Sequence, residues 1–167
     1  MSLAPRSAEV RAFWAAFRAA AGIDHDRYDV VAMGDNSDMA GQLAALILAG
    51  TKRATASMVR DYGNGVPLPA VGDHVLVVDG AGVPRCIWRT TEITVQPLNR
   101  VDERFAWDEG EGDRTRAWWL AAHRRYFGAQ AAREGFALAE DEPTVFERFT
   151  VVWPPSAADP PVPRSAP

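Results

Sequence analysis

Cysteine, lysine and long hydrophobic runs are scarce in this chain of 167 residues. A single cysteine, Cys86, excludes an internal disulfide and any zinc site built from several thiolates. The longest wholly apolar stretch, 43–50, falls far short of the roughly 20 residues that cross a bilayer, and the start lacks the charged-then-apolar pattern of a secretory signal. These absences lead us to expect a cytoplasmic protein with no membrane partner. A Gly-rich phosphate loop, a G-x-S-x-G elbow and an H-E-x-x-H helix are also missing, against the commonest nucleotide-binding, serine-hydrolase and zinc-protease plans. The net charge of -4 excludes an all-over cationic surface but not a local basic patch.

Of the 18 basic residues only one, Lys52, is a lysine. A GC-rich coding bias replaces Lys by Arg wherever a solvated cation is enough, and accounts for the other arginines. A sharper explanation is that one site needs an amine. Arg stays protonated, whereas a partly buried Lys can lose its proton and act as a base or nucleophile.

The length fits one domain. Residues 154–167 hold six of the 12 prolines and almost no large apolar side chain, and read as a disordered tail. Residues 1–6 read as a flexible start, leaving a body at 7–153. Ser7 can cap a helix with Val10, Phe13, Trp14 and Phe17 on one face, closed by Gly22. Ser37 or Asp38 can cap a second, buried through Met39, Leu43, Leu46 and Ile47 and stopped at Gly50. Strand-like periods follow at 53–57, 74–79 and 85–95, the last two joined through Gly80-Ala81-Gly82 as a hairpin. A loop through Gly112 leads to a helix at 114–127 with Asp113 as its cap, and 144–153 is a final strand. This order is α+β, and the short strand spacing favours a small, mostly antiparallel barrel.

Several segments could carry chemistry. In Gly50-Thr51-Lys52-Arg53-Ala54-Thr55-Ala56-Ser57 the chain leaves a helix and enters a strand, so side chains there are exposed on rigid supports. Arg53, Thr55 and Ser57 share one face of an ideal strand, and Lys52 reaches Thr55 only if the strand begins after a bend. The run Trp107-Asp108-Glu109-Gly110-Glu111-Gly112-Asp113 has acids separated by glycines. It can serve as a capping loop, or turn a carboxylate inward to orient a cation, take a proton or hold a divalent metal. His123 falls with Arg116, Trp119 and Phe127 on one helical stripe, an arrangement that suits a core face or a base-stacking surface. His25 and His74 have no carboxylate or Cys at metal spacing, and Cys86 reads as a small buried apolar residue.

Taken in order, these segments resemble the ASCH family, named for activating signal cointegrator homology, and in particular its longer bacterial members. The resemblance runs from about Phe13 to Trp153. It is carried by the Gly50 to Ser57 motif, Pro69-Ala70-Val71-Gly72-Asp73, Gly82-Val83-Pro84-Arg85-Cys86-Ile87, the acidic run from Phe105 to Asp113, Trp118, His123 and Glu147-Arg148-Phe149. It implies a PUA-like β-barrel with flanking helices, a cleft beside the G-x-K-x-x-T turn, and RNA or a modified nucleoside as ligand, with no DNA. Ribonuclease action and amide hydrolysis of N4-acetylcytidine are both associated with the family. By motif, the catalytic residues fall on Lys52, Thr55 and Glu109, with the Lys amine taking the Thr proton. Supporting substrate contacts would come from Arg53, Ser57, Tyr62, Glu111 and His123. No cofactor is implied, and a divalent metal is left open. The competing classes are a non-catalytic RNA-binding module and an interaction adaptor.

Overall fold

A computed structural model describes residues 2–63 and 65–160. Along the chain come β1 (Ser2–Leu3), α1 (Ala8–Ala21), β2 (Asp29–Ala32), α2 (Ser37–Leu48), β3 (Ala54–Met58), β4 (His74–Val78), β5 (Pro84–Pro97), α3 (Glu103–Glu109), α4 (Arg116–Glu134) and β6 (Pro143–Trp153). The strands form one sheet in the order β1-β2-β4-β5-β6-β3. Only the β2–β4 pairing is parallel.

β5 shapes the sheet. Its 14 residues pair with β4 through the first part and with β6 along almost the whole length, and register shifts at Ile87/Trp88 and Thr90/Glu92 bend it. The sheet therefore curls into a half-barrel, and its edge strands β1 and β3 do not pair with each other. The α+β, barrel-like architecture expected from the sequence is present.

Strand alternation divides the core. Val31, Val77, Trp88 and Phe149 face inward against Leu43, Ala44 and Ile47 of α2, while Val30, Leu76 and Ile87 face outward against Val10, Trp14 and Phe17 of α1. A third cluster joins Ala54, Met58 and Phe146 to Phe105 and Ala106 of α3 and Trp119 and Phe127 of α4. That cluster fixes α3 and α4 over β3.

Several local expectations are met. Ser7 accepts from Val10 N at 3.2 Å, and Gly22 closes α1 in the left-handed conformation at φ 66°. Cys86 is fully buried, and burial pushes its thiol up to about 12.

Others are corrected. Asn36, not Ser37 or Asp38, caps α2, and Thr115 caps α4, with Asp113 accepting from Thr115 N one step earlier. β2 and α3 were not foreseen, because four residues show no strand alternation and a seven-residue helix shows barely two turns of period. The start is not loose: β1 pairs with β2, and Ala4 N donates to Val30 O. Residues 154–160 also fold back. Asp159 accepts from Arg53 Nη2 at 2.7 Å and from Val151 N at 2.8 Å, while Ala157 packs on the inner core. Residues 161–167 lie outside the described residues.

Candidate active site

The α2–β3 turn and the end of α3 are joined backbone to backbone. Thr51 N and Lys52 N both donate to Leu46 O, so the chain wraps the last turn of α2, and Arg53 N then donates to Asp108 O at 2.7 Å. Gly110 ends α3 with φ 75°, and a Cβ there would run into Thr51 O. Only glycine allows this approach. Gly112 performs the same service two residues on, with the Trp118 indole resting where its Cβ would be. The two glycines thus let the acidic run fold onto the lysine.

Lys52 is 1% exposed and its Nζ lies 2.7 Å from both Glu109 Oε2 and Glu111 Oε1, residues 57 and 59 positions away. Glu109 O is a more distant third acceptor at 3.4 Å. His123 Nε2 is 3.5 Å from Glu109 Oε1. Its Nδ1 is 3.1 Å from Trp119 O and must donate there, because a carbonyl oxygen only accepts. The imidazole stacks on the Trp119 ring at 3.7 Å, so its place is fixed on both sides.

These contacts settle the charge on Lys52. Burial alone would lower its pKa, but Glu109 and Glu111 outweigh burial through charge and hydrogen bonds, and the amine is held above its ordinary range. Two carboxylates within 2.7 Å thus favour the ammonium over the free amine that the resemblance implies. Glu109 is also penalised by burial, yet Lys52 and His123 pull it down to about 2. Glu111 goes the other way: burial is the main cause and raises it, and with the Glu109 charge and hydrogen bond added it outweighs the pull of Lys52. Glu111 is also the more open carboxylate, 22% exposed against 2% for Glu109. Lys52 Nζ itself fills the position between the carboxylates that a divalent cation would take, and no metal-ligating cluster of three or more residues occurs among the described residues.

Lys52, Glu109, Glu111 and His123 form a polar wall of a cavity of about 370 Å³. Thr55 lines it too, and its hydroxyl has no hydrogen bond to Lys52 or to any other described residue. The opposing surface is apolar, with Met33, Leu43, Trp118 and Tyr126. A few convergent polar groups against apolar and aromatic walls, in a volume of this size, suit a small organic ligand.

Not every residue expected at the site is there. Arg53 is a strap: its guanidinium donates to Ile47 O, Lys52 O and Asp159. Ser57 Oγ and Tyr62 OH are 2.6 Å apart and satisfy each other outside the cavity, so Tyr62 is no stacking platform in it. Arg116 donates to Val101 O and Asn99 O, and Trp119 and Phe127 are core. The face of α4 that meets the cavity is 118, 122, 125, 126 and 129 together with His123, which belongs also to the adjoining buried stripe 119, 123, 127 and 131. Met33 and Asp35 escaped notice with β2, whose end places them there.

The ASCH domain model matches residues 29–153. The chain belongs to the ASCH family. An ASCH domain from Lactobacillus crispatus is 32% identical, with 84% of this chain and 92% of that one covered and a TM-score of 0.78. A crystal structure of a protein from Enterococcus faecalis is 33% identical over 86% and 88%, with a TM-score of 0.80. No curated protein matches the chain. The ASCH family is PUA-like and associated with RNA binding. Every ASCH cavity residue named above lies inside the matched segment, whereas α1 precedes it. No helix among the described residues is long and apolar enough to cross a membrane.

Proposed function

We propose that this ASCH protein is a hydrolase that takes a nucleoside unit of RNA, or a modified nucleoside, into the cavity beside Lys52 and cleaves an acyl amide on its base, as in N4-acetylcytidine. The observation that carries the assignment is the unpartnered Thr55 hydroxyl in the same cavity as a carboxyl poised to exchange a proton and an ammonium fixed in place.

The steps follow from the charge states. Thr55 Oγ attacks the acetyl carbonyl carbon while the Glu111 carboxylate takes the hydroxyl proton. As Glu111 becomes neutral its hold on Lys52 Nζ weakens, and an ammonium N–H is released to the oxyanion that has formed. Collapse breaks the carbon–nitrogen bond, and Glu111 returns the proton to the departing exocyclic amine. Water then cleaves the acetyl-threonine by the same acid–base cycle, giving acetate. Glu109, ionised and almost fully buried, holds Lys52 and His123 in place and stays a carboxylate throughout.

Purified full chain is incubated with N4-acetylcytidine, and separately with single-stranded RNA. Cytidine and acetate are the expected products, lost in Thr55→Val. Cleaved strands without deacetylation would replace the amidohydrolase by a ribonuclease, and binding without any product would leave an RNA-binding module.

A further inference from the structure

α4 carries an arginine on each side of Tyr126 that the catalytic cluster does not use. Arg125 is exposed at the cavity that holds Lys52, and Arg133, also exposed, lines a neighbouring open depression of about 650 Å³. Neither guanidinium has a hydrogen bond or ion pair among the described residues. The arginines around them are committed: Arg124 faces Glu140, and Arg85 faces Asp79.

The two hollows are neighbours. Met33, Gly34, Asp35 and Tyr126 belong to both, so they form a saddle between them. Along α4 the two arginines are eight residues apart, about 12 Å at the helical rise. The acids in the second hollow already have donors: Asp79 accepts from Ala81 N and Val83 N, and Glu134 accepts from Gln130. The acids stay charged, but Arg125 and Arg133 are the guanidinium groups of the two hollows and neither is tied to them by an ion pair among the described residues. On the saddle, Asp35 uses Oδ1 for Asn36 Nδ2, which leaves Oδ2 as an acceptor.

We propose that Arg125 and Arg133 are phosphate contacts of a groove for single-stranded RNA, so that the substrate is a nucleotide within a strand and not a free nucleoside. The base enters the cavity, the flanking phosphates meet Arg125 and Arg133, and the ribose crossing the saddle presents a 2′-hydroxyl to Asp35. A carboxylate at that point repels a phosphate and accepts from a hydroxyl, which favours RNA over DNA. The inference rests on the cavity assignment above, and its test separates the two.

The full chain is titrated with a short fluorescent oligoribonucleotide, with its DNA counterpart, and with N4-acetylcytidine, over a range of salt concentration. Arg125→Ala and Arg133→Ala should each weaken the oligoribonucleotide roughly fivefold, more than they weaken the nucleoside, and each should reduce the slope of log affinity against log salt by about 0.7. Arg27→Ala, in a loop that lines neither hollow, should change nothing and controls for bulk charge. RNA should bind more tightly than DNA, and Asp35→Ala should narrow the difference. If the nucleoside binds but neither arginine variant changes the affinity or salt slope of the oligonucleotide, the groove is refuted and the cavity assignment stands. Equal affinity for RNA and DNA refutes the role of Asp35. If the wild type binds neither nucleoside nor oligonucleotide, the cavity assignment falls and the groove with it.

Discussion

Gly112 lies under the indole of Trp118, close enough that a single methyl group at its Cα would overlap the ring. Its φ of 57° is also one that few side chains accept. Gly112→Ala should therefore cost about 1–3 kcal/mol in a urea unfolding titration. Because the same loop presents Glu111 to Lys52, kcat/KM for N4-acetylcytidine should fall further than the unfolded fraction explains.

Glu109 and Glu111 hold one ammonium but should fail differently. Glu109→Gln leaves a buried cation short of its charge partner and should cost about 3–5 kcal/mol of stability. Glu111→Gln, at the more open position, should cost about 1 kcal/mol or less, yet lower kcat about a hundredfold or more by removing the proton carrier. Paired unfolding and turnover measurements on the two variants check this division.

The acid limb of stability should depend on Glu109. Its folded value, about 2, lies below the ordinary 4.5, so the native state binds the proton more weakly than the unfolded chain. Its contribution is full above about pH 4.5 and is lost as pH falls towards 2. Lys52 has the opposite sign: raised above the ordinary 10.5, it contributes below that pH, and the contribution is lost as pH climbs through the still higher folded value. Unfolding free energy against pH should slope between pH 4.5 and 2 in the wild type and more weakly in Glu109→Gln.

Asp159 ties the segment after β6 back to the sheet through Arg53, Thr150 Oγ1 and Val151 N. Asp159→Ala should destabilise by about 1–3 kcal/mol in the same unfolding assay. Arg53 would keep its bonds to Ile47 O and Lys52 O at the turn but lose the partner of its other nitrogen, so activity should fall less than stability.

Much of the site was legible because its markers are chemical. A lone amine at a helix-to-strand turn and an acid run broken by glycines draw attention to Lys52, Glu109 and Glu111, the family resemblance singles out Lys52 and Glu109, and the fold brings the three side chains together. Their charges were not legible, because the ammonium state of Lys52 depends on carboxylates 57 and 59 residues away that only α3 delivers. Ser57 shows the limit of strand periodicity: it shares a face with Thr55, but its hydroxyl is taken by Tyr62. The contacts of 154–160 were not legible because composition counts prolines and cannot see that Asp159 finds three donors, while 161–167 lie outside the described residues.

The central claim is that the Thr55 hydroxyl is the nucleophile. Thr55→Val keeps the shape of the side chain and removes only the hydroxyl, so turnover of N4-acetylcytidine by this variant is the most direct measurement. A fall in kcat of about a thousandfold or more, with nucleoside affinity little changed, is expected. Turnover near the wild-type rate in the variant, or no turnover by the wild type, would contradict it.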